Sequence, residues 1–468
     1  MILGLIFVVL GFRALISPAQ ADTFWHLRAG ADIWRTGQVP MVDSYSFTAA
    51  GLPWRDHEWL WEAVTYPCYR LGGMPLLSVL AAAVILLAAL LVYRLTVGAP
   101  STRMLALAVG LTLTSPVWSL RPQIATLLCV AALATFVARE RLWPIPILFL
   151  VWANLHGAVA LGGVMLLAAT GAAALRWRRT GAPADRRRTV ALAVVLAASG
   201  LASCATPLGF HVFGFLGESA KRVYAIQIAE WHPTWPTDST GVIFWLAGVG
   251  LVTLLVRRRH ELARAPWTAW ATVAMTLALL VPAFRAIRNF PPFALVAAPA
   301  ATHLLGESFR IRLPIRRAAA ASPDHPGINA ALFGGLGALT VALVVAAYAV
   351  QLPWLGWRPI SREAVAAVES CHAPLFNHYN DGGVLIWFTP DRPVFIDSRQ
   401  DPYPVDFMLD AIAVEGGRLP YQPMFARWRI GCAFLSSSSK MVETLRGDGW
   451  RARFVDRDWA VLVAPGSS

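Results

Sequence analysis

Long apolar runs separated by short polar breaks fill the first 350 positions of the chain. They fall at about 1–18, 74–96, 103–119, 122–138, 142–156, 158–176, 188–206, 239–256, 267–284, 289–305 and 328–352. A bilayer-crossing helix needs about 17–25 apolar residues, so the pattern predicts a polytopic α-helical membrane protein with about eleven spans. The first run ends in Ser17-Pro18-Ala19-Gln20-Ala21, which mimics a signal-peptidase site. No basic residue precedes it and Arg13 interrupts it, so it reads as an uncleaved first span.

The pattern changes after position 352. VLIWF (384–388), PVFID (393–397), CAFLS (432–436) and WAVLVA (459–464) read as strands, and REAVAAVE (362–369) and KMVETLR (440–446) as helices. This predicts two domains: a transmembrane domain over 1–352, with a first outer loop at 19–73 containing interfacial helices, and a small extracytoplasmic α/β domain over 353–468.

Composition strengthens the membrane reading. Hydrophobic residues make up 57% of the 468 positions and charged residues 14%, where a soluble domain carries about 25% charged. The net charge of +13 raises the question of nucleic acid. The basic residues, however, sit in short breaks: ARERL (138–142), RWRRTGAPADRRR (176–188), RRRHELARA (257–265), RIRLPIRR (310–317) and the stretch around Arg94 and Arg103. A cytoplasmic amino end and eleven spans put all of these inside, so the charge sets topology and no nucleic-acid partner is expected. The basic Ala/Pro stretch 309–326 reads as a cytoplasmic linker. The cysteines, at 68, 129, 204, 371 and 432, match no metal-cluster spacing. Cys371 and Cys432 both lie in the tail, as a disulfide or as two thiols.

The same topology puts the unusual polar residues outside. In the first loop Asp22 and His26, then Arg28 and Asp32, are four apart and share helix faces. Phe24, Trp25, Leu27, Ile33 and Trp34 give that helix an apolar body suited to the membrane interface. The chain turns at Gly37 and Pro40, passes Asp43, and opens a second amphipathic helix at Asp56-His57-Glu58 that ends near Leu71-Gly72-Gly73. Further outer clusters are Arg121-Pro122-Gln123, Asn154 with His156, Glu230-Trp231-His232, and Arg285 with Arg288-Asn289. Guanidinium forks suit a phosphate or diphosphate headgroup, and carboxylates suit acid–base work or a divalent cation. Taken singly, each also reads as a snorkelling or capping residue. His26, His57, His156 and His232 match no zinc spacing. In the tail, Asp397 and Arg399 close a strand-like run where α/β sites form, or fix the loop as an ion pair. NHYNDGG (377–383) reads as a polar turn. Nucleotide-binding glycine motifs and a G-x-S-x-G elbow are missing.

An acidic outer loop after the first span, interfacial helices within it, about eleven spans and a C-terminal outer domain resemble the GT-C superfamily of integral-membrane glycosyltransferases. The words DTFWHLRAG, RPQ, NLHG and EWHP also resemble uncharacterised bacterial membrane proteins of this layout. That family places an acidic pair after the first span, whereas this chain has Asp22-Thr23, so Glu58, Asp56 or Asp43 would supply the second acid. The resemblance implies a multi-pass protein of the bacterial inner membrane that uses a polyprenyl-phosphate-linked sugar. It implies a glycan, lipid or protein acceptor outside the cytoplasm, and inversion with Asp22 as general base. Arg288, Arg285 or Arg121 would hold the leaving phosphate, and His156, Asn154 and Glu230 would orient sugar or acceptor. It implies no certain cofactor, although a divalent cation is compatible. Two other classes compete. A transporter or flippase would show paired half-repeats and charges at mid-membrane, and a non-catalytic assembly protein would use the loop and tail to bind partners.

Overall fold

The computed structural model describes residues 2–226, 228–306, 326–350 and 352–466. The basic loop 310–317 and nearly all of the linker 309–326 lie outside the described residues. The first helices are α1 (Ile2–Leu15), α2 (Ala21–Thr36) and α3 (Trp59–Tyr93). α3 is interrupted by non-helical torsions at Gly72 and Gly73, where the second amphipathic helix was expected to end. Next come α4 (Pro100–Thr114), α5 (Gln123–Ala138), α6 (Ile145–Leu155), α7 (Val159–Thr180), α8 (Pro183–Ala202) and α9 (Val212–Ala225). α10 (Ser239–Arg257), α11 (Arg259–Arg264), α12 (Trp267–Arg285), α13 (Phe290–Leu305) and α14 (Pro326–Val350) follow.

Every apolar run read from the sequence holds a helix. Among the described residues α3, α7, α10 and α12 are long and apolar enough to cross a membrane. Helices such as α5 and α6, with 16 and 11 residues, extend only about 17–24 Å at 1.5 Å per residue, short of a ~30 Å hydrocarbon core.

By internal contacts the chain forms two compact units. The helical unit contains 1–17, 75–212 and 227–352; the loop-and-tail unit contains 18–74, 213–226 and 353–468. The opening loop therefore shares its unit with the tail.

The helical unit is built on small-to-large packing. Leu10 and Ala14 of α1 meet Ala82, Ile85 and Ala89 of α3, with Leu107, Leu111, Trp118, Leu127 and Leu295 completing one buried cluster. The alanines let helix axes approach, as close packing among apolar helices requires.

The loop-and-tail unit has a four-stranded sheet, with β1 (Leu375–Asn377), β2 (Cys432–Ser436), β3 (Arg451–Val455) and β4 (Trp459–Val463) in the order β1-β2-β4-β3. β1 runs parallel to β2, and the other pairs are antiparallel. α15 (Arg362–Glu369), α16 (Gly382–Phe388), α17 (Val405–Glu415), α18 (Gln422–Trp428) and α19 (Lys440–Gly447) complete it. CAFLS and WAVLV are strands and REAVAAVE and KMVETLRG helices, as the pattern predicts. VLIWF is not a strand but part of α16, with Val384, Leu385 and Ile386 buried. A short run buried on all sides carries no periodicity to separate helix from strand. PVFID is extended but outside the sheet: Val394 bridges to Ser46 of the opening loop, with Val394 N donating to Tyr45 O at 2.9 Å. Cys371 and Cys432 form a disulfide with Cα atoms 6.5 Å apart, resolving the two sequence options.

Candidate active site

In the loop-and-tail unit α2 is the organising element. Asp22 lies in its first turn. The Ser398 hydroxyl donates to Asp22 Oδ1, and the Trp25 indole lies 3.4 Å from that oxygen and 3.3 Å from Ser398 Oγ. The tail thus reaches the residue expected to act as base. α16 packs against the start of α2, and a Cβ at Gly383 would stand 2.3 Å from the Ala21 carbonyl. This explains the NDGG end of the polar turn: the second glycine admits the backbone that presents Asp22.

One turn on, His26 is buried and bonds Glu62. Its Nδ1 is 2.9 Å from Glu62 Oε1, and its Nε2 is 3.6 Å from Glu58 Oε2. α2 and α3 come this close at Gly30, where a Cβ would be 2.4 Å from the Glu62 carbonyl. Asp56 lies before α3, its carboxylate accepting from Glu58 N at 3.2 Å and interacting with the Glu62 carboxyl. Burial pushes Asp56 up to about 6. His57 rests on Phe215 with ring centroids 4.9 Å apart. Arg28 pairs with Asp32 at 3.1 Å.

Asp43, Asp397 and Arg399 form a second, fully buried cluster. Arg399 reaches Asp43 and Asp397, each at 2.6 Å, and Tyr403 OH donates to Asp397 at 2.6 Å. The guanidinium also lies 4.8 Å from the Tyr45 ring and 4.6 Å from Trp54. Burial alone would lower the Arg399 pKa, but the Asp397 carboxylate holds it well above its ordinary value. Asp43 accepts from Tyr45 N, Ser46 N and Ser46 Oγ. Arg399 Nη1 is buried and makes no hydrogen bond among the described residues, while the rest of the cluster forms the Asp–Arg pairing that the sequence offered as one of two readings.

In the helical unit Arg121, Glu230 and Arg288 come together. Arg288 lies 3.3 Å and Arg121 3.7 Å from Glu230 Oε1, and the Arg288 guanidinium sits 4.6 Å above the Trp231 ring. Arg285 is exposed at the end of α12. Asn289 donates to Pro282 O at 3.2 Å, and Asn154 to Leu150 O and Ala205 O. His156 is buried, with Nδ1 2.8 Å from Thr126 Oγ1. His232 is exposed, and Gln123 opens α5 half-buried.

Glu62 and Ser398 escaped the sequence reading. Glu62 sits at an acidic position in an amphipathic helix, and only the approach of α2 shows that it is buried. Ser398 lies between Asp397 and Arg399, but its partner is 376 positions away. The tail holds another unforeseen cluster, with His378 Nδ1 3.4 Å from Glu415 and 3.7 Å from Asp381. Burial moves His378 down to about 4, and burial with the Glu415 charge moves Asp381 up to about 7.

Among the described residues no group of three or more His, Cys, Asp or Glu side chains is arranged to hold a metal ion. His26 offers its two ring nitrogens to different carboxylates, so His26, Glu58 and Glu62 do not converge on one point.

Apolar helices with a polar first loop and a small C-terminal α/β region make a multi-pass membrane protein of GT-C-like fold. Among solved structures the chain is similar to the archaeal oligosaccharyltransferase AglB from Archaeoglobus fulgidus, in complex with an inhibitory peptide and a dolichol-phosphate. The TM-score is 0.57 at 12% identity, over 93% of this chain and 69% of that one. ArnT from Cupriavidus metallidurans bound to undecaprenyl phosphate aligns at TM-score 0.48 and 14% identity, over 100% and 98% of the two chains. No family model and no curated protein sequence matches the chain.

Proposed function

We propose that the protein is an inverting membrane glycosyltransferase that takes a sugar from a polyprenyl-phosphate carrier and gives it to an acceptor hydroxyl outside the cytoplasm. The observation that carries this reading is the fold shared with AglB, a structure containing a dolichol-phosphate. Two features support it. Asp22 opens α2 directly after the first apolar helix, with Ser398 and Trp25 fixing its carboxylate. Arg121 and Arg288 gather around one half-exposed carboxylate, leaving a local surplus of positive charge suited to a phosphate. The helical unit also has an apolar cavity of about 390 Å³ lined by Phe244, Trp245, Gly248, Leu280 and Phe284, wide enough for isoprenoid units.

In the proposed step the acceptor oxygen attacks the anomeric carbon and its proton passes to Asp22. The bond from that carbon to the phosphate oxygen breaks, and the carrier leaves as a polyprenyl phosphate. A single displacement inverts the centre. Glu58 is the second acid of this reading, acting through His26. The protein works in the bacterial inner membrane with its tail outside.

The test uses purified protein in vesicles with radiolabelled polyprenyl-phosphate sugars. Asp22→Asn should keep the wild-type melting temperature and lose about 10²–10⁴-fold in transfer, the usual contribution of a general base. Full activity in the variant removes Asp22 from the mechanism. Failure of the wild type on every lipid-linked sugar rejects the class.

A further inference from the structure

α2, the first part of α3 and α16 border an open cavity of about 590 Å³, lined by Arg28, Asp32, Trp34, Arg35, Tyr66 and Trp387. The reading above assigns it no role. Asp32 is its one acidic group, and that carboxylate is already engaged. Arg28 Nε at 3.1 Å and Tyr45 OH at 2.9 Å donate to Oδ2, and an Arg35 terminal nitrogen donates to Oδ1 at 2.7 Å. Each arginine gives one nitrogen to Asp32. Their remaining nitrogens make no hydrogen bond among the described residues. Asp32 therefore acts as a holder that fixes two guanidiniums side by side, and two cations against one anion leave the lining positive.

This chemistry selects among ligands. A neutral saccharide needs acceptors as well as donors, and the cavity's carboxylate is taken. An anion that accepts several N–H bonds fits, and a phosphate matches the forked geometry best. The surroundings are apolar. Trp34 is 61% exposed, Leu71 83% and Val64 43%, all on the same two helices. Trp34 is nevertheless fixed, its indole donating to Ala63 O at 2.8 Å. Cationic groups beside anchored, exposed tryptophan and leucine side chains are the signature of a helix lying at the headgroup level.

We propose that this cavity binds the phosphate of a membrane phospholipid and so seats the loop-and-tail unit on the bilayer surface. The proposal is independent of the transfer reaction and stands if that reading fails.

The test titrates delipidated full-length protein in detergent with dihexanoyl-phosphatidylglycerol, with phosphate-free dihexanoylglycerol and with inorganic phosphate, following bound ligand by native mass spectrometry. The double variant Arg28→Gln/Arg35→Gln should bind the phospholipid about 30-fold more weakly, from the loss of two surface cations. Arg35→Gln alone, at a side chain 71% exposed and so free to change without repacking, should weaken it about fivefold. The glycerolipid should not bind, and inorganic phosphate should bind at least about tenfold more weakly than the phospholipid because it lacks the apolar contact. Unchanged affinity in Arg35→Gln overturns the proposal, as does equal binding of the glycerolipid. Inorganic phosphate binding as tightly as the phospholipid overturns the lipid assignment.

Discussion

The clusters around Arg399 and Arg288 are both arginine–carboxylate assemblies, but they use their charges differently. Around Arg399 two carboxylates close on one arginine at 2.6 Å, and all three side chains are fully buried. Around Arg288 two arginines lean on one carboxylate at 3.3 and 3.7 Å, with Glu230 40% exposed. The first has its cation fully buried, with Nε and one terminal nitrogen on carboxylates. The second has more cation than anion and stays wet. Buried, fully paired charge fastens segments together, whereas surplus charge at a surface can receive a ligand. The Arg399 cluster joins Asp43 of the opening loop to Asp397 of the tail.

The largest effect should come from breaking the fastener. Arg399→Met leaves two buried carboxylates without their cation and should destabilise the loop-and-tail unit by about 3–5 kcal/mol. Thermal unfolding of the purified protein, or protease sensitivity of residues 18–74, measures it. A variant as stable as the wild type would show that Asp43 and Asp397 do not depend on Arg399.

A smaller effect is set by pH. Folded Asp56 titrates at about 6, above the ~3.9 of a free Asp. The folded chain then binds more protons between those values. Asp56 thus contributes stability that is complete below pH ~4 and is lost as pH rises through about 6. Asp56→Asn removes one of two coupled buried carboxyl groups, Asp56 and Glu62, so the stability of the wild type relative to the variant should fall as pH rises from about 4 to 8. Melting curves of both proteins across that range decide it, and a pH-independent difference would mean that Asp56 is ionised throughout.

Most of the fold was legible because membrane helices carry their signal locally. Every apolar run became a helix, and the break at Gly72-Gly73 fell where the amphipathic pattern ended. The tail was half legible: KMVETLR kept its helical period, whereas CAFLS and VLIWF are both continuous buried runs with none to read, and one is a strand and the other a helix. In the candidate site the residue types were visible and the pairings were not. Asp22 and His26 share a face, yet His26 turns to Glu62 across Gly30, and Asp22 turns to Ser398. Those partners come from other elements, and spacing along one helix holds no information about them. Asp397 and Arg399 illustrate the same limit: the tail word pairs with Asp43 of the opening loop, a contact that spacing does not show.

The finest test of the contrast pits the two sides of the Arg288 cluster against each other. If its surplus cation receives the carrier phosphate, Arg288→Gln should raise the KM for a lipid-phosphate sugar about tenfold, the value of one charge-assisted hydrogen bond. Glu230→Gln should do the opposite. It removes the carboxylate that competes for both guanidiniums, and at a half-exposed pair this is worth only about 0.5–1 kcal/mol, a two- to fivefold drop in KM. A fastener behaves otherwise: both substitutions would lower the melting temperature, and neither would move KM. Opposite shifts in KM at unchanged stability are thus what separates a phosphate receiver from a second copy of the Arg399 joint.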